Sequence, residues 1–260
     1  MSDDAILVDI DSFGVATVTL NRPAKRNAVS LAMWRAIGGI FTELDARAEV
    51  RVIVLTGAGG NFCAGADISE FATLRTTPED AHAYEHAGDT ATAAVRDCGK
   101  PTIAAVHGYG VGGGCGLALA CDLRIGDATT KMGIPAARRG VVYGTLDCGL
   151  LLRQVGLANA KLVLFSAQIF ATEACLSMRL LDQAGEAALP AAIAQARAIA
   201  ANAPLSVAGS KIVLEALARG ETEVRAAEIT AVIEGAASSA DYREATAAFM
   251  EKRPARFQGR

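Results

Sequence analysis

Two glycine-rich stretches carry the clearest chemical signal in the chain. GNFCAGAD spans residues 60–67, and HGYGVGGGCG spans 107–116 with six glycines in ten residues. Each follows a short apolar run that ends in glycine, and each leads toward a helix-like segment. A strand that ends in glycine and enters a helix presents backbone N–H groups with no partner inside the helix, and the helix dipole makes that end favour negative charge. Glycine also lets a ligand approach the backbone closely. Two such turns, one near Ala66 and one near Gly113, can converge on a single oxygen and stabilise charge as it develops on a thioester or ester carbonyl.

The same residues support two other readings. GYGVGG (Gly108, Gly110, Gly113) satisfies G-x-G-x-x-G, follows a strand-like run, opens a helix, and has Asp127 about 20 residues on, which is the context of a dinucleotide-binding turn. That motif sits in mid-chain, however, and the reading leaves GNFCAGAD without a role. In the third reading the glycines serve only tight packing.

The elements around these turns define the architecture. Ile6 to Val8 and Val15 to Leu20 flank the turn DSFG and read as paired strands. Ser30 precedes LAMWRAIGGIFTELDARAE, whose apolar residues recur at helical spacing, and is placed to cap it. RVIVLTG and KPTIAAVHG read as buried strands and DLRIGD as a short one, while residues 72–97 are helical in period but polar, as in a mobile cover. From about Gly156 onward strand signals vanish and only helix-like segments follow. The expectation is an α/β core over 1–195 and a helical region over 196–260, in one continuous domain without a linker.

Composition narrows the function classes. A net charge of −3 and a pI near 5.7 give no basic face for nucleic acid. The six cysteines are scattered without a C-x-x-C pair and there are only three histidines, so neither a zinc site nor a disulfide framework is expected. MSDDAILVDID lacks the basic and apolar regions of a signal peptide, and glycines or charges break the apolar runs before the ~18 residues of a membrane span. A soluble cytoplasmic protein with reduced thiols is expected.

Taken together, NRPAKRNA (21–28), TGAGGNFCAGADI (56–68), KPTIAAVHGYGVGGGCGLALACDLRI (100–125), AKLVLFSAQIFATEA (160–174) and AAFMEKRPARF (247–257) resemble the enoyl-CoA hydratase/isomerase (crotonase) family, in order and over nearly the whole chain. The resemblance implies a spiral of ββα units followed by C-terminal helices that join subunits into a trimer or a dimer of trimers. It implies an acyl-CoA thioester substrate and no permanently bound cofactor, coenzyme A being part of the substrate. The N–H groups of Ala66 and Gly113 would hold the thioester oxygen. Lys25, Arg26 and Ala28 would line the CoA entrance, and backbone from Ala64 through Asp67 to Ile68 would flank the adenine and pantetheine. Phe249 and Lys252 would reach CoA bound to a neighbouring subunit.

The chain departs from that pattern where proton transfer is done. Hydratases of the family use two glutamates, and paired carboxylates suit the work because one activates water while the other moves a proton. By motif the first falls at Gly116 and the second, in MGIPAARRG, at Ala136. Gly144 falls where the dehalogenases of the family carry their nucleophilic aspartate. Ordinary hydratase chemistry is therefore not expected, and enolate stabilisation by the backbone donors is the leading reading. In GVVYGTLDCG, Tyr143 and Asp147 are the candidate acid/base groups, with a packed tyrosine and a first-turn helix acid as the plainer alternatives. Arg138 or Arg139 can anchor an acidic acyl group, which makes decarboxylation the alternative enolate reaction, or can be a solvated pair. A non-catalytic acyl-CoA-binding protein is the reading from another class. His82 and His86 read as exposed helix, His107 as structural, and Cys115 and Cys148 as unactivated thiols near the site.

Overall fold

The computed structural model describes residues 4–260. The chain opens with β1 (Ile6–Ile10) and β2 (Val15–Leu20), antiparallel as a hairpin, and then α1 (Leu31–Ala46). The hydroxyl of Ser30 accepts from the Met33 N–H and caps α1, as its sequence position suggests. β3 (Val52–Gly57) leads through the first glycine turn to α2 (Phe71–Leu74) and α3 (Pro78–Arg96). β4 (Thr102–Val106) leads through the short β5 (Tyr109–Val111) to α4 (Gly113–Ala120), followed by β6 (Leu123–Gly126) and β7 (Lys131–Gly133). A long α5 (Thr145–Ser166), β8 (Phe170–Ala171), α6 (Thr172–Met178) and β9 (Gln183–Ala184) come next. Four helices finish the chain: α7 (Ala188–Ala200), α8 (Pro204–Arg219), α9 (Ala226–Ser238) and α10 (Ala240–Glu251).

Two sheets result. The larger has the order β1-β2-β3-β4-β6-β9, parallel from β2 onward, and the smaller has the order β5-β7-β8. β3 is buried along its whole length because both of its faces are covered, and its β-branched run fits that environment. Val52 and Val54 face α7, with Ala192 and Ala196 against them, while Ile53 and Leu55 face the main core with Ile37 and Phe41 of α1. The alternation follows from the period-2 geometry of a strand. Helix α7 thus packs on the sheet and spans residue 195.

The sequence reading missed β8 and β9. Each is two residues long, too short to carry an alternating pattern, and each pairs at a sheet edge. The polar segment 72–97 does form helix, capped reciprocally by Thr77 and Asp80, but Tyr84, Ala91, Thr92 and Val95 are buried and the helix lies against α1. It is a packed wall as well as a cover. Among the described residues one helix, α5, is long and apolar enough to cross a membrane by length and composition. It breaks at Gly156, which takes φ 75° and ψ 166°, and it buries Leu150, Leu151, Val155 and Val163 in the core.

Candidate active site

The two glycine turns are stitched together by backbone pairing. The Phe62 N–H donates to the His107 carbonyl (2.7 Å), the Cys63 N–H to Tyr109 (2.7 Å), and the Val111 N–H to Cys63 (2.9 Å). On its other side the first turn pairs with the loop before α1: the Val29 N–H donates to the Gly65 carbonyl and the Asp67 N–H to the Val29 carbonyl, both at 2.8 Å. Backbone groups of successive residues in extended chain point to opposite sides. With Gly65 and Asp67 facing Val29, the Ala66 N–H faces away from it. Gly113 is the first residue of α4, where N–H groups lack helical partners. Neither N–H has a protein acceptor among the described residues.

The two donors are close neighbours. A Cβ on Gly65, which sits at φ 95°, would lie 2.8 Å from the Val111 carbonyl oxygen and 3.3 Å from the Gly113 nitrogen, so only glycine allows this approach. A Cβ on Gly113 would lie 3.1 Å from Trp34 and 3.8 Å from the Ala66 nitrogen. Both turns border one cavity of about 270 Å³. Two unpaired donors on one cavity can hold an oxygen that gains negative charge.

The second glycine stretch therefore divides by job. A Cβ on Gly108 would strike the Gly60 carbonyl at 2.1 Å, and one on Gly114 the Cys63 carbonyl at 2.4 Å, so these residues permit the turns to pack. Of the stretch's glycines, Gly112 and Gly113 border the cavity. This overturns the dinucleotide reading of GYGVGG, because the motif contains strand β5 and its first glycine is consumed in packing. The packing reading holds for half of the glycines.

Helices α3 and α5 also border the cavity. Asp147, in the first turn of α5, is half-buried and lines the cavity. Its Oδ1 lies 2.8 Å from the position a Cβ on Gly116 would take. The carboxylate thus occupies the space into which a side chain at 116 would grow. Burial raises its pKa to about 6, and the charge of Asp89 on α3 adds to the rise. Asp89 borders the same cavity, and burial followed by the Glu85 charge pushes its carboxyl up too. No lysine or arginine pairs with either acid among the described residues. The Tyr143 hydroxyl lies 3.3 Å from where a Gly112 Cβ would stand, and burial pushes its pKa well above the tyrosine range. It stays protonated and can donate a hydrogen bond. Ala136 is buried on the cavity wall and offers no polar atom on its side chain.

The other residues singled out in the sequence fall into distinct places. Ala64, Ala66 and Ile68 border the cavity. The Asp67 side chain is drawn instead into an ion cluster with Arg22 (2.8 Å) and Lys25 (2.9 Å), and its bonds to Ser69, Lys25 and Arg22 overcome burial and hold its pKa far below the carboxylate range. Arg26 stacks on Tyr109, and the Ala28 carbonyl accepts from Arg22 (2.7 Å). Arg139 lines the cavity; Arg138 is exposed and does not. Phe249 and Lys252 are exposed at the end of α10, away from the cavity lining. His82 and His86 are exposed on α3, and the His107 ring meets the Gly59 carbonyl (3.0 Å). Burial raises the pKa of the Cys115 and Cys148 thiols, which leaves them unactivated. Sequence reasoning missed Asp89, Trp34 and Thr92, which reach the cavity from helices whose patterns show only a polar cover and a core face.

The fold defines a class, the crotonase-like α/β spirals. The enoyl-CoA hydratase/isomerase family model matches residues 11–260, and the chain belongs to that family. A short-chain-enoyl-CoA hydratase of Clostridium acetobutylicum is 32% identical over 242 residues, covering 92% of each chain. Among solved structures, an enoyl-CoA hydratase from Bacillus anthracis superposes with a TM-score of 0.92 at 29% identity, covering 99% of this chain and 100% of the other. An enoyl-CoA hydratase/carnithine racemase from Magnetospirillum magneticum gives 0.91 at 34% identity, covering 100% and 97%.

Proposed function

We propose that this protein binds acyl-CoA thioesters and stabilises their enolates, with the Ala66 and Gly113 N–H groups as the oxyanion hole and Asp147 as the group that takes and returns the C2 proton. The observation that carries this reading is the exchange of space between Gly116 and Asp147. A hydratase glutamate at 116 is absent, and a carboxylate from α5 fills the gap beside it. Proton abstraction needs a base whose pKa lies near the working pH, and a carboxyl raised to about 6 meets that need. As the C2 proton moves to Asp147, charge passes to the thioester oxygen, where the two N–H donors meet it. Tyr143, protonated, is placed to donate a hydrogen bond in the same cavity.

Hydration of a double bond needs a second carboxylate to hold water, and Ala136 cannot serve. Two unpaired acids in the cavity also weigh against an acidic acyl group, despite the Arg139 guanidinium at its border. The CoA moiety would pass Lys25 and Arg26 at the cavity entrance. The exposed Leu214, Leu217, Ile233 and Phe249 of the C-terminal helices support assembly into trimers, in which Phe249 and Lys252 would reach a neighbour's CoA.

The test is mass spectrometry of saturated and unsaturated acyl-CoA thioesters held with the protein in D2O. Deuterium should enter at C2, while crotonyl-CoA hydration should stay below a kcat/KM of about 10⁴ M⁻¹s⁻¹. Efficient hydration would overturn the reading, and so would binding of every thioester without exchange in any, which would leave an acyl-CoA-binding protein.

A further inference from the structure

Asp147 is half-buried, so a proton it takes from substrate needs a way out. The only other carboxyl among the described residues that borders the cavity without a lysine or arginine partner is Asp89. Asp89 is exposed on α3, and its Oδ2 lies 4.0 Å from the position of a Cβ on Gly144, the N-cap of α5. A Cβ at 144 would stand at ordinary van der Waals distance from this carboxylate. Asp147 is three residues further on, in the first turn of that helix. One carboxyl is thus turned inward and the other outward, at the same helix start.

We propose that Asp89 is the relay partner of Asp147: it positions the charge state of the inner carboxyl and carries its proton between the cavity and solvent. This rests on the reading of Asp147 as the C2 proton acceptor. After abstraction, the O–H bond on Asp147 breaks and one forms on Asp89, which returns Asp147 to the carboxylate. Asp89 then loses its proton to water at the exposed face of α3. The electrons of the C2–H bond stay with the enolate throughout, so no oxidant or reductant enters. His86 and His82, three and seven residues before Asp89, lie at helical spacing and favour its ionised form.

The groups facing this pair are few. The charge of Asp89 on α3 acts on Asp147, and the Asp147 charge in turn acts on Tyr143 in the preceding loop, Cys115 on α4 and Cys148 on its own helix. Asp89 meets Glu85, His86 and His82 on its own helix. Arg75, Arg139 and Tyr84 complete the ionisable lining of the cavity, and Arg75 is engaged with Glu85 (2.6 Å). Among these, Asp89 is the one whose charge acts on Asp147 from another helix.

The experiment is a carboxyl ¹³C NMR titration of the full chain labelled at aspartate, run beside C2 deuterium exchange. The signal lost in D147N assigns the inner acid, with a midpoint near pH 6. In D89N that midpoint should fall toward the ordinary aspartate range. Exchange should slow about tenfold at unchanged KM, and an added small carboxylate or imidazole buffer should restore it. A midpoint that does not move in D89N overturns the proposal, whether or not substrate exchanges. Exchange in D89N that is neither slowed nor buffer-dependent also overturns it. A midpoint that falls in D89N while the wild-type protein exchanges no thioester overturns the enolate reading and leaves the coupling between the two acids standing.

Discussion

On one wall of the cavity the chain presents only backbone: Ala66 and Gly113 offer N–H groups from turns locked by three cross-bonds. On the other wall Asp147 and Asp89 present side chains from α5 and α3. The first wall leaves almost no room to vary, because a Cβ at Gly65 or Gly113 meets a carbonyl or an indole at once. The second wall is tolerant, because a carboxyl can be hung from any element that borders the cavity. Under the proposed function, the contrast gives a physical route by which backbone donors stay in place while a proton-transfer group moves between elements. A backbone donor is fixed by the fold; an acid is fixed only by reach.

Changes on each wall separate these roles. Asp147→Asn should lower C2 exchange by about 10²–10⁴-fold with thioester binding kept, as loss of a general base does. An effect under about threefold would remove Asp147 from the chemistry. Gly65→Ala should cost about 10²–10³-fold in kcat by parting the two donors, and binding by calorimetry should weaken far less than turnover. Gly116→Glu should be destabilised by about 1–3 kcal/mol, because its first side-chain atom would sit 2.8 Å from the Asp147 carboxylate. Gly116→Glu with Asp147→Gly should regain most of that loss in urea melts. If the two changes simply add, the exchange of space between them is not a physical coupling.

The smallest effect is a pH dependence of stability. Asp147 has its pKa raised from 3.8 to about 6, so between those values the native state holds more proton than the unfolded chain. Stability from this group therefore falls as pH rises, and the full penalty is present above about pH 6. Asp147→Asn should gain on the order of 1–2 kcal/mol relative to wild type at pH 7.5 and nothing at pH 3.5. Melting temperatures at the two pH values check the sign.

Much of the donor wall was legible in the sequence, because it rests on local rules. Glycine after a β-branched run, followed by a helix pattern, marks where orphan N–H groups must fall. The Ser30 cap and the apolar spacing after it placed α1 on the same grounds. The acid wall was harder. Asp147 reads equally well as a first-turn helix acid, and it is that too. Asp89 sits in a polar helix whose pattern says only that one face is wet. The edge strands β8 and β9 were invisible because two residues carry no period.

What the sequence determined by itself is the class of fold, the two turns, and the glycine and alanine at 116 and 136, since residue type and chain order are sufficient for each. What only the tertiary structure decided is what stands beside Gly116. Gly116 and Asp147 are 31 positions apart, and no spacing rule links them. Their contact exists because α4 and α5 pack face to face, and close packing leaves room there for one side chain and not two.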